Sequence, residues 1–316
     1  MKITVLDAET LGADLDLSPL SSCGEVTVYK TTPPELISER LRDTETVLIN
    51  KVKLNASNLG EANSLKLICI AATGYDNIDV EYCRKRGIAV CNVIGYSTHS
   101  VAQLTLSMAL SLYTHLPEYT DSVRDGSYTE GGVANRLTPV YHEICGKKWG
   151  IVGYGNIGKQ VAAVARAMGC EILAFKREPV DGVKCVSLDD LCKNADIISV
   201  HLPLSDATRG IIGEREIALM KKDAIVINVA RGAVTDEAAL ADAVESGRIG
   251  GIGVDVYSAE PMQKEHPFYR IKALPNVCLT PHMAWGAAEA RARCLDEIIK
   301  NINSFVSGGM RSRVDI

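Results

Sequence analysis

The stretch Trp149-Gly150-Ile151-Val152-Gly153-Tyr154-Gly155-Asn156-Ile157-Gly158-Lys159 decides the fold. A short apolar run ends at Val152, glycines follow at G-x-G-x-x-G spacing, and Lys159 to Met168 continues with helical periodicity. That spacing alone is common; a strand before it and a helix after it are the context it needs to hold a dinucleotide. Gly153 allows the tight turn, Gly155 lets backbone approach a pyrophosphate, and Gly158 lets helix pack on strand, with Asn156 and Ile157 completing the turn. The alternative is a structural strand-to-helix turn with spare glycines. Such fingerprints carry an acid about twenty residues on, which holds the ribose hydroxyls. Here the second strand ends at Lys176-Arg177, eighteen residues past Gly158. Two cations suit a 2′-phosphate that a carboxylate would repel, so NADPH is favoured over NADH. A solvated strand end with Glu178 nearby, accepting both cofactors, is the other reading.

Downstream, apolar runs near 149–152, 171–175, 196–200, 224–228, 251–255 and 277–280 alternate with amphipathic stretches, as in a six-stranded dinucleotide fold. Upstream lies a second alternation with strand-like runs at 3–6, 26–29, 46–49, 67–71 and 88–93. Helical patterns lie between, such as Pro34 to Leu41 and Val80 to Lys85, the latter stopped by Gly87. Alternation of this kind predicts a parallel sheet covered on both faces, here without a nucleotide turn. Apolar residues from Ser100 to Tyr113 form one long helix leading out of the first unit, and Gly126 to Val140 reads as a loop. Cys294, Ile298, Ile299, Ile302, Phe305 and Val306 mark the apolar stripe of a further helix, expected to return to the first unit. The division expected is 1–99 with 286–316 for the first unit and 100–285 for the second.

Composition sets the class. A chain of 316 residues with 47% hydrophobic content and few aromatics fits two soluble α/β domains. A net charge of −5 argues against nucleic acid or an anionic membrane as the main partner. Ten cysteines without C-x-x-C spacing read as free thiols of a reducing compartment, with no metal site expected. The N-terminus runs straight into a strand pattern and no apolar run approaches spanning length, so a cytoplasmic location is expected.

Three residues at successive strand ends form a chemically complementary set: Arg231, Glu260 and His282. Strand ends at one edge of a parallel sheet converge on one crevice. An imidazole exchanges a proton with a carbonyl oxygen as hydride arrives or leaves. A carboxylate on its other nitrogen fixes the tautomer and favours the protonated form. A guanidinium fork binds the substrate carboxylate through two parallel bonds. Any one of them alone reads more simply as structural. Asp255 is a candidate acceptor for the nicotinamide amide, with a cap or loop bond as the competing reading. Thr73 and Gly74, in a turn after a strand of the first unit, are candidates to present amides to the carboxylate. Lys51, at another strand end, is a candidate second cation, although surface lysines outnumber functional ones. Trp285, three residues past His282, is a candidate side wall or stacking platform for the substrate.

The chain resembles the D-isomer-specific 2-hydroxyacid dehydrogenases nearly end to end. The resemblance is carried by Ala72-Thr73-Gly74-Tyr75-Asp76-Asn77-Ile78-Asp79, Ser100-Val101-Ala102-Gln103, the glycine turn and His201-Leu202-Pro203-Leu204. It continues through Asn228-Val229-Ala230-Arg231-Gly232, Asp255 to Pro261, and Thr280-Pro281-His282. It implies a Rossmann cofactor domain inserted into a flavodoxin-like substrate domain, cleft closure and usually a homodimer. It also implies catalytic roles for Arg231, Glu260 and His282, and cofactor contacts at His201, Pro203, Val229 and Ala230. Asn50-Lys51, Ala284-Trp285 and Glu289-Ala290-Arg291 resemble the glycerate dehydrogenase (hydroxypyruvate reductase) branch, which implies hydroxypyruvate or glyoxylate as substrate. Lys176 departs from the family's customary acid, and His99 stands where the branch often has a small or acidic residue. An aromatic 2-oxo acid reductase of the same family is the alternative. A non-catalytic dinucleotide sensor, like the corepressors that share this scaffold, is the reading from another class.

Overall fold

Runs of Ile, Val and Leu become parallel strands in two separate sheets. The computed structural model describes residues 1–178 and 180–316, which divide into one unit of Met1–Ser97 with Gly286–Ile316 and another of Thr98–Trp285.

In the first unit β1 (Lys2–Val5), β2 (Glu25–Val28), β3 (Thr46–Ile49), β4 (Leu67–Ile70) and β5 (Ala89–Cys91) pair in the order β2-β1-β3-β4-β5. Every neighbouring pair is parallel. This is the flavodoxin-like order, with its reversal between β1 and β3. Every residue of β3 and β4 is buried, as expected of strands covered on both faces. The helix Ala288–Val306 packs on β4 through a stripe that includes Ala290, Cys294, Leu295, Ile298 and Ile302. Val306, in its last turn, is 65% exposed and falls outside the stripe expected of it. Beyond this helix, Val314 N donates to Val90 O at 2.9 Å and the Asp315 carboxylate accepts from Val90 N at 2.8 Å, so residues 286–316 also finish β5.

Among the described residues the second unit holds seven strands rather than six: β6 (Lys148–Val152), β7 (Glu171–Phe175), β8 (Lys184–Cys185), β9 (Ile197–Val200), β10 (Ile225–Asn228), β11 (Gly251–Val254) and β12 (Val277–Leu279). The strand missed in the sequence is β8, whose two residues sit at the sheet edge and leave no periodicity to read. The order β12-β11-β10-β9-β6-β7-β8 is the dinucleotide-binding one with an added outer strand, and it reverses between β6 and β9. Alternate residues of β10 face opposite cores: Val226 joins one, Ile225 and Ile227 the other. The helix Thr98–Thr114 begins two residues before the expected Ser100 and packs against the helix Asn156–Ala167 and β11. The expected loop at 126–140 contains one helical turn, Ser127–Glu130. Among the described residues no helix is long and apolar enough to cross a membrane, and no group of side chains is arranged to hold a metal ion. The ten cysteines are free thiols.

Candidate active site

At the turn after β6, Gly153 has φ +102°, and a Cβ there would lie 2.8 Å from the His201 carbonyl carbon. A Cβ on Gly158 would fall 2.3 Å from Gly153 O, so this glycine sets how closely helix approaches strand. Gly155 differs: a Cβ there would meet nothing within 4 Å. It stands before the helix Asn156–Ala167 with no side-chain cap, and Asn156 beside it is exposed. An open approach to uncapped helical amides suits an anion. Lys176 and Arg177 follow β7, the neighbouring strand, and both are exposed, as is Glu178.

His201 follows β9, on the other side of β6. Its Nε2 lies 2.9 Å from Ser199 Oγ, which accepts from Trp149 Nε1 at 2.9 Å. Indole only donates, so all three groups are satisfied when Ser199 gives its own proton to Nε2, leaving a hydrogen on Nδ1. That Nδ1 is buried and has no hydrogen-bond partner among the described residues. Burial holds the imidazole down to about 3, so it is neutral at working pH. A buried donor with no protein acceptor beside an open glycine turn fits a dinucleotide site. The next loop is fixed by the Thr208 hydroxyl, which donates to Pro203 O at 2.6 Å.

The opposite half of the sheet builds its loops from buried polar side chains. Asn228 ends β10; its Oδ1 accepts from Ala230 N at 3.0 Å and its Nδ2 donates to Arg231 O at 2.9 Å. The amide thereby moulds the Val229-Ala230-Arg231 turn. Arg231 is half-buried, with Nη1 donating to Ala230 O at 2.8 Å. Asp255, after β11, is fully buried and accepts from the Thr280 hydroxyl at 2.5 Å, Met283 N at 2.8 Å and Ala284 N at 2.9 Å. Burial pushes its pKa up against the pull of those three donors. Its carboxylate engages the loop that carries His282, the loop bond set beside the cofactor reading in the sequence.

Glu260 and His282 meet on the far side of that loop. Glu260 Oε2 lies 2.7 Å from His282 Nδ1, while Oε1 accepts from Tyr257 N at 3.1 Å. His282 takes φ +54° and its amide donates to Thr280 O at 3.1 Å. Left-handed backbone is uncommon outside glycine, although histidine visits it more than most. The Tyr257 hydroxyl donates to the same carbonyl at 2.9 Å, and burial pushes that phenol up to about 12. Arg231 and the His282 loop follow β10 and β12, on either side of β11. Trp285 is half-buried and packs against the core beneath the helix Thr98–Thr114, whereas His99 in that helix's first turn is exposed.

The first unit places its candidates at strand ends too. Lys51 is exposed beyond β3, in a segment whose amides at Asn50, Lys51 and Val52 all donate to the Asp7 carboxylate, at 3.0, 2.6 and 3.1 Å. Thr73, beyond β4, donates its hydroxyl to Val93 O at 2.8 Å and accepts from Asn92 Nδ2 at 2.7 Å through its carbonyl; Gly74 follows it. Sequence reading passed over Asp7, Asn228, Glu237, Tyr257 and Thr280. For Asp7 and Asn228 a signal was present, a short polar residue closing an apolar strand.

Residues 106–284 match the profile of the D-isomer specific 2-hydroxyacid dehydrogenase, NAD binding domain. Glycerate dehydrogenase of Methylorubrum extorquens is 36% identical over 315 residues, covering 99% of each chain. Among solved structures, an acyclic imino acid reductase in complex with NADPH and D-Arg superposes with a TM-score of 0.87 at 30% identity, covering 100% of this chain and 99% of that one. D-lactate dehydrogenase from Aquifex aeolicus, complexed with NAD and lactic acid, gives a TM-score of 0.87 at 27% identity with the same coverage.

Proposed function

The chain belongs to the D-isomer-specific 2-hydroxyacid dehydrogenase family, and from that premise we propose that it reduces hydroxypyruvate or glyoxylate to the corresponding D-2-hydroxy acid. Membership makes it an oxidoreductase acting on CH–OH donors with a nicotinamide dinucleotide. The observation that carries the catalytic reading is the 2.7 Å bond between Glu260 and His282, set beside the strand that delivers Arg231. The small-acid reading is supported by the relative named glycerate dehydrogenase, at 36% identity over the whole chain.

The dinucleotide, when bound, supplies or accepts the hydride. Gly153, Gly155, Asn156, Ile157 and Gly158 form its pyrophosphate cradle, with Val229, Ala230, His201 and Pro203 around the rest. Glu260 occupies His282 Nδ1, so the proton that moves is the one on Nε2, given to the carbonyl oxygen in reduction and taken from the hydroxyl in oxidation. The Glu260 carboxylate fixes the tautomer and orientation of the ring for that transfer. Arg231 holds the substrate carboxylate through its planar fork and polarises the adjacent carbonyl. In the first unit, expected over 1–99 with 286–316 as the substrate domain, Lys51, Thr73 and Gly74 are the candidate substrate contacts. Trp285 limits the length of the substrate's side chain. Lys176 and Arg177 turn the preference toward NADPH by charge.

A homodimer is supported by the segment from Leu116 to Tyr141, where Leu116, Val123, Val133, Leu137 and Val140 are 59–73% exposed. Apolar exposure concentrated in one segment marks an association surface.

The test is a turnover panel of hydroxypyruvate, glyoxylate and phenylpyruvate with both reduced dinucleotides. The two small acids should give the higher kcat/KM, and NADPH should outperform NADH in a salt-dependent way. Phenylpyruvate as the better substrate, with its advantage lost in Trp285→Ala, would replace the small-acid reading with an aromatic one. Dinucleotide binding without turnover of any acid would make the protein a sensor.

A further inference from the structure

A second carboxylate–imidazole pair lies in the same unit, buried behind the loop that carries Glu260. Glu237 and His266 are each only 8% exposed, and their side chains meet at 3.0 Å through Oε2 and Nε2. Phe268 N donates to His266 Nδ1 at 3.2 Å, so that nitrogen is an acceptor and the ring hydrogen sits on Nε2, pointed at Glu237. The other carboxylate oxygen, Oε1, accepts from Ser258 N at 2.8 Å. Both oxygens are thus committed, one to a ring and one to a backbone amide between Tyr257 and Glu260.

The peptide held in this way is crowded on its other side. A Cβ on Gly232 would lie 2.2 Å from both Ser258 N and the Tyr257 carbonyl carbon, and 2.7 Å from Glu237 Oε1. The turn that follows Arg231 therefore presses directly on the peptide that Glu237 holds. Tyr257 is fixed as well, its ring edge-on to His266 at 5.6 Å and its hydroxyl on Thr280 O, the carbonyl that also accepts the His282 amide. Three residues past Tyr257, Glu260 divides its two oxygens between the amide of Tyr257 and the Nδ1 of His282.

We propose that Glu237 is a positioning residue of the reaction: braced by His266, it clamps the Tyr257–Ser258 peptide and so sets the distance between Glu260 and His282. Its two oxygens are committed to Ser258 N and the His266 ring, so its effect reaches the proton carrier through Glu260. Glu237→Gln keeps the size and one acceptor but turns an NH2 toward either the Ser258 amide or the His266 ring hydrogen, donor against donor. This proposal rests on the catalytic reading of Glu260 and His282.

The experiment is a double-mutant cycle of Glu237→Gln and Glu260→Gln, reading kcat, KM, NAD(P)H affinity and thermal unfolding. The expected result is a kcat roughly tenfold lower in Glu237→Gln, with dinucleotide affinity within about twofold of the parent. Placed on Glu260→Gln, the same change should cost less than about twofold more, because both act on one bond. A brace that serves only the fold predicts a lower unfolding temperature with kcat preserved, and that result overturns the proposal. Fully multiplicative losses also overturn it. A Glu260→Gln enzyme of undiminished kcat overturns instead the reading of the Glu260–His282 pair. Should Glu237→Gln fail to fold, His266→Asn retains an acceptor for Phe268 N while removing the ring, its donor to Glu237 and its edge contact with Tyr257, and the same kcat loss is expected of it.

Discussion

Asp7 in one unit and Asp255 in the other use one device in two unrelated sheets. Each closes or follows an apolar strand, is almost wholly buried, and gathers donors from the segment beyond an adjacent strand. Asp7 collects three consecutive amides around Lys51; Asp255 collects the Thr280 hydroxyl and two amides around His282. In both, burial pushes the carboxyl up and the collected donors pull it down. The difference lies in what is held. Around Asp7 the donors from beyond the adjacent strand are all backbone, and the side chain they display is one exposed cation. Around Asp255 the loop also takes a left-handed residue, and that residue is the histidine itself. A buried carboxylate can therefore fix a binding side chain or a reacting one, and the chemistry of the loop decides which.

The largest effects fall on the Asp255 side. His282→Ala should lower reduction by roughly 10²–10⁴-fold. Asp255→Asn sets an NH2 against the donors of the His282 loop and should lower kcat by roughly 10²-fold with dinucleotide affinity near the parent's. Added to His282→Ala, it should do little more. If Asp255→Asn instead loses dinucleotide affinity and keeps turnover, Asp255 is a cofactor contact and the parallel with Asp7 breaks.

An intermediate effect is expected on the other side. Asp7→Asn should raise KM for the 2-oxo acid about tenfold, the equivalent of one or two hydrogen bonds, with kcat little changed. Lys51→Gln should reproduce it, and the double variant should add nothing. A fall in kcat without a change in KM would show that Asp7 holds something other than a binding cation.

The smallest effect sharpens the comparison by contrast. His201 is a buried titratable group with one side-chain partner in place of three. Its folded pKa, about 3, lies below the ordinary 6.5, so the unfolded chain takes up the proton first as pH falls. The stability associated with its neutral form is whole above pH 6.5 and is lost from there down toward about 3. The slope is at most about 1.4 kcal/mol per pH unit. Urea unfolding of His201→Gln at pH 7 and pH 5 should show a smaller acid loss than the parent; equal losses would mean that water screens the ring.

Periodicity made most of this fold legible, because strands buried on both faces read as unbroken apolar runs. It failed at β8, where two residues at an edge leave no pattern, and at Val306, where the apolar stripe outlasts its support. Arg231, Glu260 and His282 stood out in the sequence because their chemistry is complementary and each sits at a strand end. The residues that hold them were not. Asp255 reads as a ligand contact or a loop bond until the donors around it are known, and Glu237 reads as one more acid in a helix's first turn. Thr280 acts through Asp255, 25 residues away in sequence, a distance that no local window connects.

Residues 286–316 belong with Met1–Ser97, cover β4 with a helix and complete β5. During synthesis Met1–Ser97 therefore waits for a segment that emerges nearly two hundred residues later. Thr98–Trp285 has its whole sheet by then and is free to fold ahead of the unit that precedes it. Vectorial synthesis normally favours N-terminal domains first. Here the inserted unit can precede the unit around it, and β3 and β4, buried throughout in the finished fold, are the strands left uncovered in the interval.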